Sequence, residues 1–354
     1  MAGGTTGHAR DLAVHPSSRR RPDPDLFCQG GRPGLARMRV LERLQDCVGL
    51  RFPVVTIGNF DGVHVGHQAV LKLARDRVRL QQGTAVVLTF EPHPLRVLAP
   101  GVELKFLSDP EEKLTLLEEA GVDVVVRLPF TREFASQTPE EFMVQVLRDG
   151  LGTRELFVGQ NFRFGKERLG TIQTLMEAGP RLGFTVHAIS PVVLDGAPVS
   201  STRIRDLVQA GAMTEAATLL GRPYMLRGTV IHGDRRGGQL GYPTANLLPP
   251  EGRVLPPDGV YATQIKVDTQ TWGAVTYIGT RPTFGHGARM IETYLLDGRR
   301  DLYGCRVTIL FHERLRDDQT FESAEHLARQ IAVDVARTRD ILRGLAGVPA
   351  RPSS

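Results

Sequence analysis

The sequence predicts two domains: a parallel β-sheet covered by helices, then a small antiparallel barrel or sandwich closed by a helix. Three observations carry this reading. The chain has 354 residues, more than the roughly 100 to 200 of one ordinary domain. From Pro53 to about Ile189, short β-rich runs alternate with helical patterns, the order of parallel strands joined by crossover helices. From Tyr224 to about Glu313, strand-like runs are split by Gly and Pro with no helices between them, as in a small antiparallel barrel or sandwich.

Residues 1–37 are rich in Gly, Pro, Arg and Ser and lack periodic apolar positions, so they are expected to be a disordered tail. Asp11, Asp23 and Asp25 and the absence of an amphipathic pattern argue against a transit peptide. Met38 is the expected working start. The first domain, residues 38–221, carries five expected strands: Val54–Phe60, Ala85–Phe90, Val122–Leu128, Leu156–Gly159 and Phe184–Ile189. Ser108 with Glu111 and Thr138 with Glu141 have capping-box spacing, and Pro110 and Pro139 fit first helical turns. Two short helices follow Ser200, and Gly221 and Pro223 end the pattern. The second domain, residues 222–345, reads as the strands YMLRGTVIHG, GVYATQIKV, WGAVTYIG, IETYLLD and CRVTILFHE. One amphipathic helix over Phe321–Leu342 follows, with Phe321, Leu327, Ile331, Val335 and Ile341 as expected contacts. Residues 346–354 are expected to be a second tail.

Composition narrows the function classes. With 41% hydrophobic and 23% charged residues and no run of about 18 apolar residues, the chain reads as an ordinary globular protein with no membrane partner. Its net charge is +5, but residues 1–37 hold six Arg and three Asp, so only +2 belongs to the rest. That distribution argues against specific nucleic-acid binding. Cys28, Cys47 and Cys305 are far apart and form no C-x-x-C pair, which excludes a disulfide framework and a cysteine zinc site and fits a cytoplasmic location.

Two constellations carry chemistry. The first, VVTIGNFDGVHVGHQ at 54–68, is a buried strand, a glycine-bearing turn and two histidines where a helix begins. Gly58, Gly62 and Gly66 let the backbone approach a nucleotide, and helix N-terminal N–H groups favour an anion. The imidazoles of His64 and His67 can donate hydrogen bonds to phosphoryl oxygens. A metal reading lacks a third ligand nearby. The second constellation, GTVIHGDRRGGQLGYPTANL, sets a glycine-rich hairpin before PTAN and contains no GxxxxGK[ST] loop. Taken alone, Thr244 and Asn246 read as turn residues, and Glu292 as an exposed glutamate on an alternating strand.

GNFDGVHVGH resembles the H-x-G-H signature of nucleotidyltransferases related to class I aminoacyl-tRNA synthetases, in the form found in prokaryotic bifunctional riboflavin kinase/FAD synthetases. TFEPHP at 89–94, VGQNFRFG at 158–165 and SSTRIR at 200–205 resemble that family in the same order, and the second constellation resembles its riboflavin kinase signature. The resemblance spans about residues 39–343. It implies a Rossmann-like nucleotidyltransferase (FMN adenylyltransferase) domain followed by an antiparallel β-barrel riboflavin kinase domain with a C-terminal helix.

By this resemblance, His64 and His67 contact ATP phosphates, and Asn161 and Arg205 stabilise the transferring adenylyl group. Phe60, Asp61, Ser201 and Thr202 join Gly58, Gly62 and Gly66 as nucleotide- or flavin-binding residues, while Glu91 and His93 belong to a flavin-side wall. In the second domain the resemblance assigns Gly233, Gly241, Thr244 and Asn246 to Mg-ATP, with Thr244 and Asn246 as Mg²⁺ ligands, and makes Glu292 the base for a ribityl hydroxyl. Oxygen ligands of that kind suit hard Mg²⁺. The implied partners are riboflavin, FMN, FAD and ATP. Gly238 and Gln239, Tyr277 in place of Asn, and Thr320 in place of Lys depart from the family pattern and bear on kinase efficiency.

Overall fold

The computed structural model describes residues 38–232, 241–280, 289–298 and 300–346. The expected tails lie outside these residues, apart from Ala346, which ends the last helix. Gly233, Gly238 and Gln239 lie outside them too. From Met38 onward the chain is one compact unit, within which two lobes are distinguished by their sheets.

The first lobe contains β1 (Arg39–Leu41), β2 (Pro53–Ile57), α1 (Val65–Gln81), β3 (Thr84–Glu91), α2 (Pro94–Leu98), α3 (Pro110–Glu119) and β4 (Val124–Pro129). Next come α4 (Arg132–Ala135), α5 (Pro139–Glu141) running into a π-helical stretch at Phe142–Gly150, β5 (Glu155–Gly159), α6 (Ile172–Leu182) and β6 (Thr185–Ile189). A small hairpin, β7 (Val193–Leu194) and β8 (Ala197–Pro198), leads to α7 (Ser201–Ala210) and α8 (Met213–Leu220). Six strands form one parallel sheet in the order β1-β4-β3-β2-β5-β6. Every residue of β2 is buried, because the sheet has apolar side chains on both faces. Val55 and Leu88 pack with Phe142 and Leu175 on one face, and Val87 and Val125 with Leu71 and Leu117 on the other.

The five expected strands are present, within a few residues at each end. Thr138 and Glu141 form the expected capping box. The Ser108 cap is corrected: Asp109 caps α3, accepting from the Glu112 N–H, because Pro110 takes the first helical position and the cap is the residue before it. Ser108 is left to turn towards the loop after β2.

The second lobe contains β9 (Tyr224–Ile231), β10 (Thr244–Leu247), β11 (Gly259–Val267), β12 (Gln270–Thr280), β13 (Arg289–Leu295), β14 (Arg306–Asp317) and α9 (Ala324–Ala346). The strands close a barrel in the order β10-β13-β12-β11-β14-β9, antiparallel at every pairing. Closure removes the unpaired edges of an open sheet. Alternation along the strands sends Leu247, Ile265, Ala274, Ile278 and Ile291 into the interior cluster. Val260, Ala262 and Val275 face outward against Val335, Ile341 and Leu342 of α9. Inside, the hydroxyls of Thr263, Thr276 and Thr293 chain at 2.8 and 3.0 Å, which satisfies buried polar groups without a charge.

Two details differ from expectation. The last helix begins at Ala324, so Phe321 precedes it and lies 5.5 Å from the Arg316 guanidinium. The inner face of α9 also buries Asp334, which accepts from Arg316 Nε at 3.0 Å. Ile204, Val208, Met213, Ala216 and Leu219 of α7 and α8 share one apolar cluster with the barrel interior. Among the described residues, no helix is long and apolar enough to cross a membrane.

Candidate active sites

The carboxyl ends of β3, β2 and β5 lie side by side in the sheet, and the first constellation is built there, where open α/β sheets place ligands. After β2 the backbone makes a sharp turn, with Phe60, Gly62 and Val63 at φ of 50°, 76° and 38°. At Gly62 an added Cβ would stand 3.0 Å from Leu107, so both conformation and space require glycine there. His64 then caps α1, its Nδ1 accepting from the His67 N–H at 3.4 Å. A neutral His64 therefore carries its proton on Nε2. The two rings stack with centroids 3.7 Å apart, and Phe60 lies 5.0 Å from His67.

Burial lowers the His64 pKa to about 4 against an opposing pull from Asp61. Burial, and then His64 itself, hold His67 well below the usual imidazole range. Both rings are thus neutral near pH 7. Nδ1 of His67 and Nε of Arg205 are buried without a hydrogen-bond partner, an uncommon state for buried nitrogen that an anion's oxygens would relieve.

Asp61 is 5% exposed and ties the site together. Its Oδ2 accepts from Arg205 Nη2 at 2.7 Å, and its Oδ1 accepts from the N–H groups of Leu107 and Ser108 at 2.9 and 3.2 Å. Ser201 Oγ donates to the Asp61 carbonyl at 3.0 Å. The Asp61 carboxylate is thus committed to Arg205 and two amides. Thr202 is exposed on the first turn of α7, and Gly58 and Gly66 flank the turn. Asn161 is exposed in the Gly159–Phe162 turn at the end of β5.

Beside the histidines, a cavity of about 360 Å³ is lined by Asp61, Glu91, His93, Phe106, Lys113 and Arg253 among others. His93 caps α2 and is lowered to about 4 by burial. Burial also lowers Lys113. Several residues that hold this site escape motif reading. Ser108 Oγ accepts from the Gly62 N–H at 3.0 Å, and Arg222 Nη2 donates to the Gly62 carbonyl at 2.6 Å. Gln68 Nε2 donates to the carbonyls of Val63 and Leu220 at 2.8 and 2.9 Å. For Ser108 a signal existed: with Asp109 before Pro110 as the cap, the serine hydroxyl had to serve elsewhere.

In the barrel, Thr244, Ala245 and Asn246 of PTAN begin strand β10 rather than forming a turn. Its register sets Asn246 directly across from Glu292, and Thr244 across from Tyr294. Thr244, Asn246 and Glu292 share the outward face, since Ala245 and Leu247 point into the core. Asn246 and Glu292 are 5% and 7% exposed, so Glu292 is a buried carboxylate rather than an exposed strand glutamate. Asn246 Nδ2 donates to the Thr244 carbonyl at 3.2 Å, leaving its carboxamide oxygen to serve as a ligand. Gly241 and Thr244, with Tyr294 and Tyr303, line a cavity of about 330 Å³.

Tyr277 follows Glu292 across the next strand pair. Its phenol donates to Asp318 Oδ2 at 3.2 Å, and burial followed by Asp318 pushes its pKa up to about 12. The phenol folds over Gly279, where an added Cβ would stand 1.9 Å from it. Thr320 is exposed.

Comparison with known proteins assigns a family to each lobe. Residues 50–203 match the family model of FAD synthetase, and residues 220–342 match that of riboflavin kinase. The chain is 43% identical over 287 residues to the bifunctional riboflavin kinase/FMN adenylyltransferase of Pseudomonas fluorescens, covering 81% of this chain and 92% of that one. It is 37% identical to the Escherichia coli K12 enzyme of the same name, with 81% and 92% covered. With the Bacillus subtilis enzyme identity is 35%, with 79% and 90% covered. A solved structure described as a macrolide-efflux protein from Streptococcus pneumoniae superposes with a TM-score of 0.79 at 30% identity, covering 86% of this chain and 99% of that one. With both family models in order along one chain, and full-length relatives well above 30% identity, the protein belongs to the bifunctional riboflavin kinase/FMN adenylyltransferase family.

Proposed function

We propose that the sheet lobe adenylylates FMN and the barrel lobe phosphorylates riboflavin, with the roles below. The chain is a transferase that converts riboflavin to FMN and FMN to FAD with ATP as co-substrate. The observation that carries the division of labour is the pair of buried nitrogens without partners, His67 Nδ1 and Arg205 Nε, at the carboxyl end of the sheet.

In adenylyl transfer an oxygen of the FMN phosphate attacks the ATP α-phosphorus and pyrophosphate leaves. No protein nucleophile is required, so catalysis rests on positioning and charge stabilisation. Neutral His64 and His67 each offer one N–H, and Arg205 offers the remainder of its fork once Asp61 has fixed one end. Two neutral rings avoid the cost of burying adjacent cations before the nucleotide arrives. Asn161, at the neighbouring strand end, completes the donors. Phe60, Gly58, Gly62, Gly66, Ser201 and Thr202 shape the nucleotide pocket, and Glu91 and His93 face the flavin.

In the barrel, Glu292 takes the proton of the ribityl hydroxyl as that oxygen attacks the γ-phosphorus and ADP leaves. Thr244 and Asn246 would hold Mg²⁺, and their hydroxyl and carboxamide oxygens are the hard donors it prefers. When bound, Mg²⁺ neutralises phosphate charge. Gly241 borders the same cavity. The unpaired thiols of Cys47 and Cys305 support a cytoplasmic location. Chromatography of the products from riboflavin, ATP and MgCl₂ tests the whole assignment: FMN followed by FAD is expected, and FMN alone or no product overturns one or both sites.

A further inference from the structure

Given that the sheet lobe is the adenylyltransferase, we infer that Arg253, a residue of the barrel lobe, is a positioning residue for adenylyl transfer, acting through Leu107 and Ser108 on the Asp61–Arg205 pair.

Arg253 is 4% exposed. Its Nη1 donates to Glu112 Oε2 at 2.7 Å and to Asp109 Oδ2 at 3.3 Å. Its Nη2 donates to the carbonyls of Leu107 and Met225 at 2.6 and 2.7 Å. The same segment is stitched by backbone: the Phe106 N–H donates to the Gly252 carbonyl at 2.7 Å, and the Val254 N–H to the Phe106 carbonyl at 3.0 Å. The segment is thereby held from the barrel side through the carbonyls of Phe106 and Leu107 and the Asp109 carboxylate.

The opposite edge of this short segment faces the reaction site. The N–H groups of Leu107 and Ser108 hold Asp61 Oδ1, the Ser108 hydroxyl holds the Gly62 N–H, and Asp61 Oδ2 fixes Arg205. An unbroken series of hydrogen bonds thus leads from the Arg253 fork to the guanidinium assigned to the transferring phosphoryl group. Stability alone gives little reason for this arrangement, since a buried ion pair is often matched or bettered by apolar residues of similar volume. A planar fork supplies fixed directions, which an apolar side chain cannot.

The test uses the full chain with the double substitution Arg253→Met and Glu112→Leu, which removes both buried charges together and so avoids a stranded carboxylate. FAD formation from FMN and ATP is measured alongside FMN formation from riboflavin, each resolved into kcat and KM. For the double variant, adenylylation kcat should fall about 10- to 100-fold with little change in KM, as misplacement of a transition-state group does. Riboflavin phosphorylation should stay within about twofold of the parent. Adenylylation at the parent rate, or an equal fall in both activities, would overturn the positioning role. Failure of the parent chain to make FAD would instead overturn the adenylyltransferase assignment, and this inference with it.

Discussion

His67 offers its buried Nδ1 to no protein group, so its removal breaks no side-chain hydrogen bond at that atom within the fold and should be felt in adenylyl transfer. His67→Ala is expected to lower FAD formation from supplied FMN by about 10² to 10³, the scale of one lost transition-state donor. FMN formation from riboflavin should be nearly intact, and product analysis with each substrate checks both arms. Glu292→Gln keeps size and a carbonyl acceptor but removes the group that can take a proton. FMN formation should fall by roughly 10² to 10⁴, with FAD formation from FMN unchanged; full kinase turnover in the folded variant would leave the hydroxyl without an identified base. The histidines also set a pH dependence. His64 and His93 are lowered to about 4, and His67 is held well below its usual range, chiefly by burial, whereas an unfolded histidine titrates near ~6.5. Between those values the unfolded chain binds more protons, so stability is complete above the unfolded value and declines as pH falls towards 4. Urea midpoints measured from about pH 7.5 down to about pH 5 should drop, and less steeply in a His67→Asn variant.

At the scale of elements, α8 decides how far the barrel core extends. Its Leu219 is 1% exposed and lies in one cluster with Leu226, Ile309 and Phe311 of the strands. Leu219→Ala should therefore cost about 2 to 5 kcal/mol, read from the shift of the urea midpoint at constant slope. A loss under about 0.5 kcal/mol, the scale of a surface substitution, would show that α8 is not part of that core. Helix α9 is legible from its apolar spacing except for its buried carboxylate: the helical spacing of apolar residues such as Val335 and Ile341 gives the face, but nothing local says that Asp334 is buried against Arg316 of β14.

At the scale of the molecule, a boundary at Gly221 cuts between α8 and the barrel it packs on. A fragment starting at Arg222 lacks α8 and leaves Tyr224 and Phe311 without their apolar neighbours on it. A fragment starting at Ser200 retains them. Both should make FMN and no FAD, and the longer should melt at the higher temperature, since it buries more apolar surface. Equal melting temperatures would mean that α7 and α8 add nothing to the barrel, and FAD formation by either fragment would sink the assignment of adenylylation to the sheet lobe.

The sequence by itself determined the class of each lobe, most strand positions, the Thr138 cap and the two signatures, because periodicity, turn residues and glycine spacing are local and survive in one dimension. It also singled out His64, His67, Thr244, Asn246 and Glu292 as candidates through motif company. Only the tertiary structure decided that Asn246 and Glu292 are cross-strand partners, that Asp61 is engaged by Arg205 from 144 residues away, and that Ser108 serves Gly62 rather than a helix. It alone brought Arg253 of the barrel against Leu107 and Glu112. Strand register, closure of the barrel and burial of a charge depend on what distant segments place opposite one another, and no local spacing encodes that.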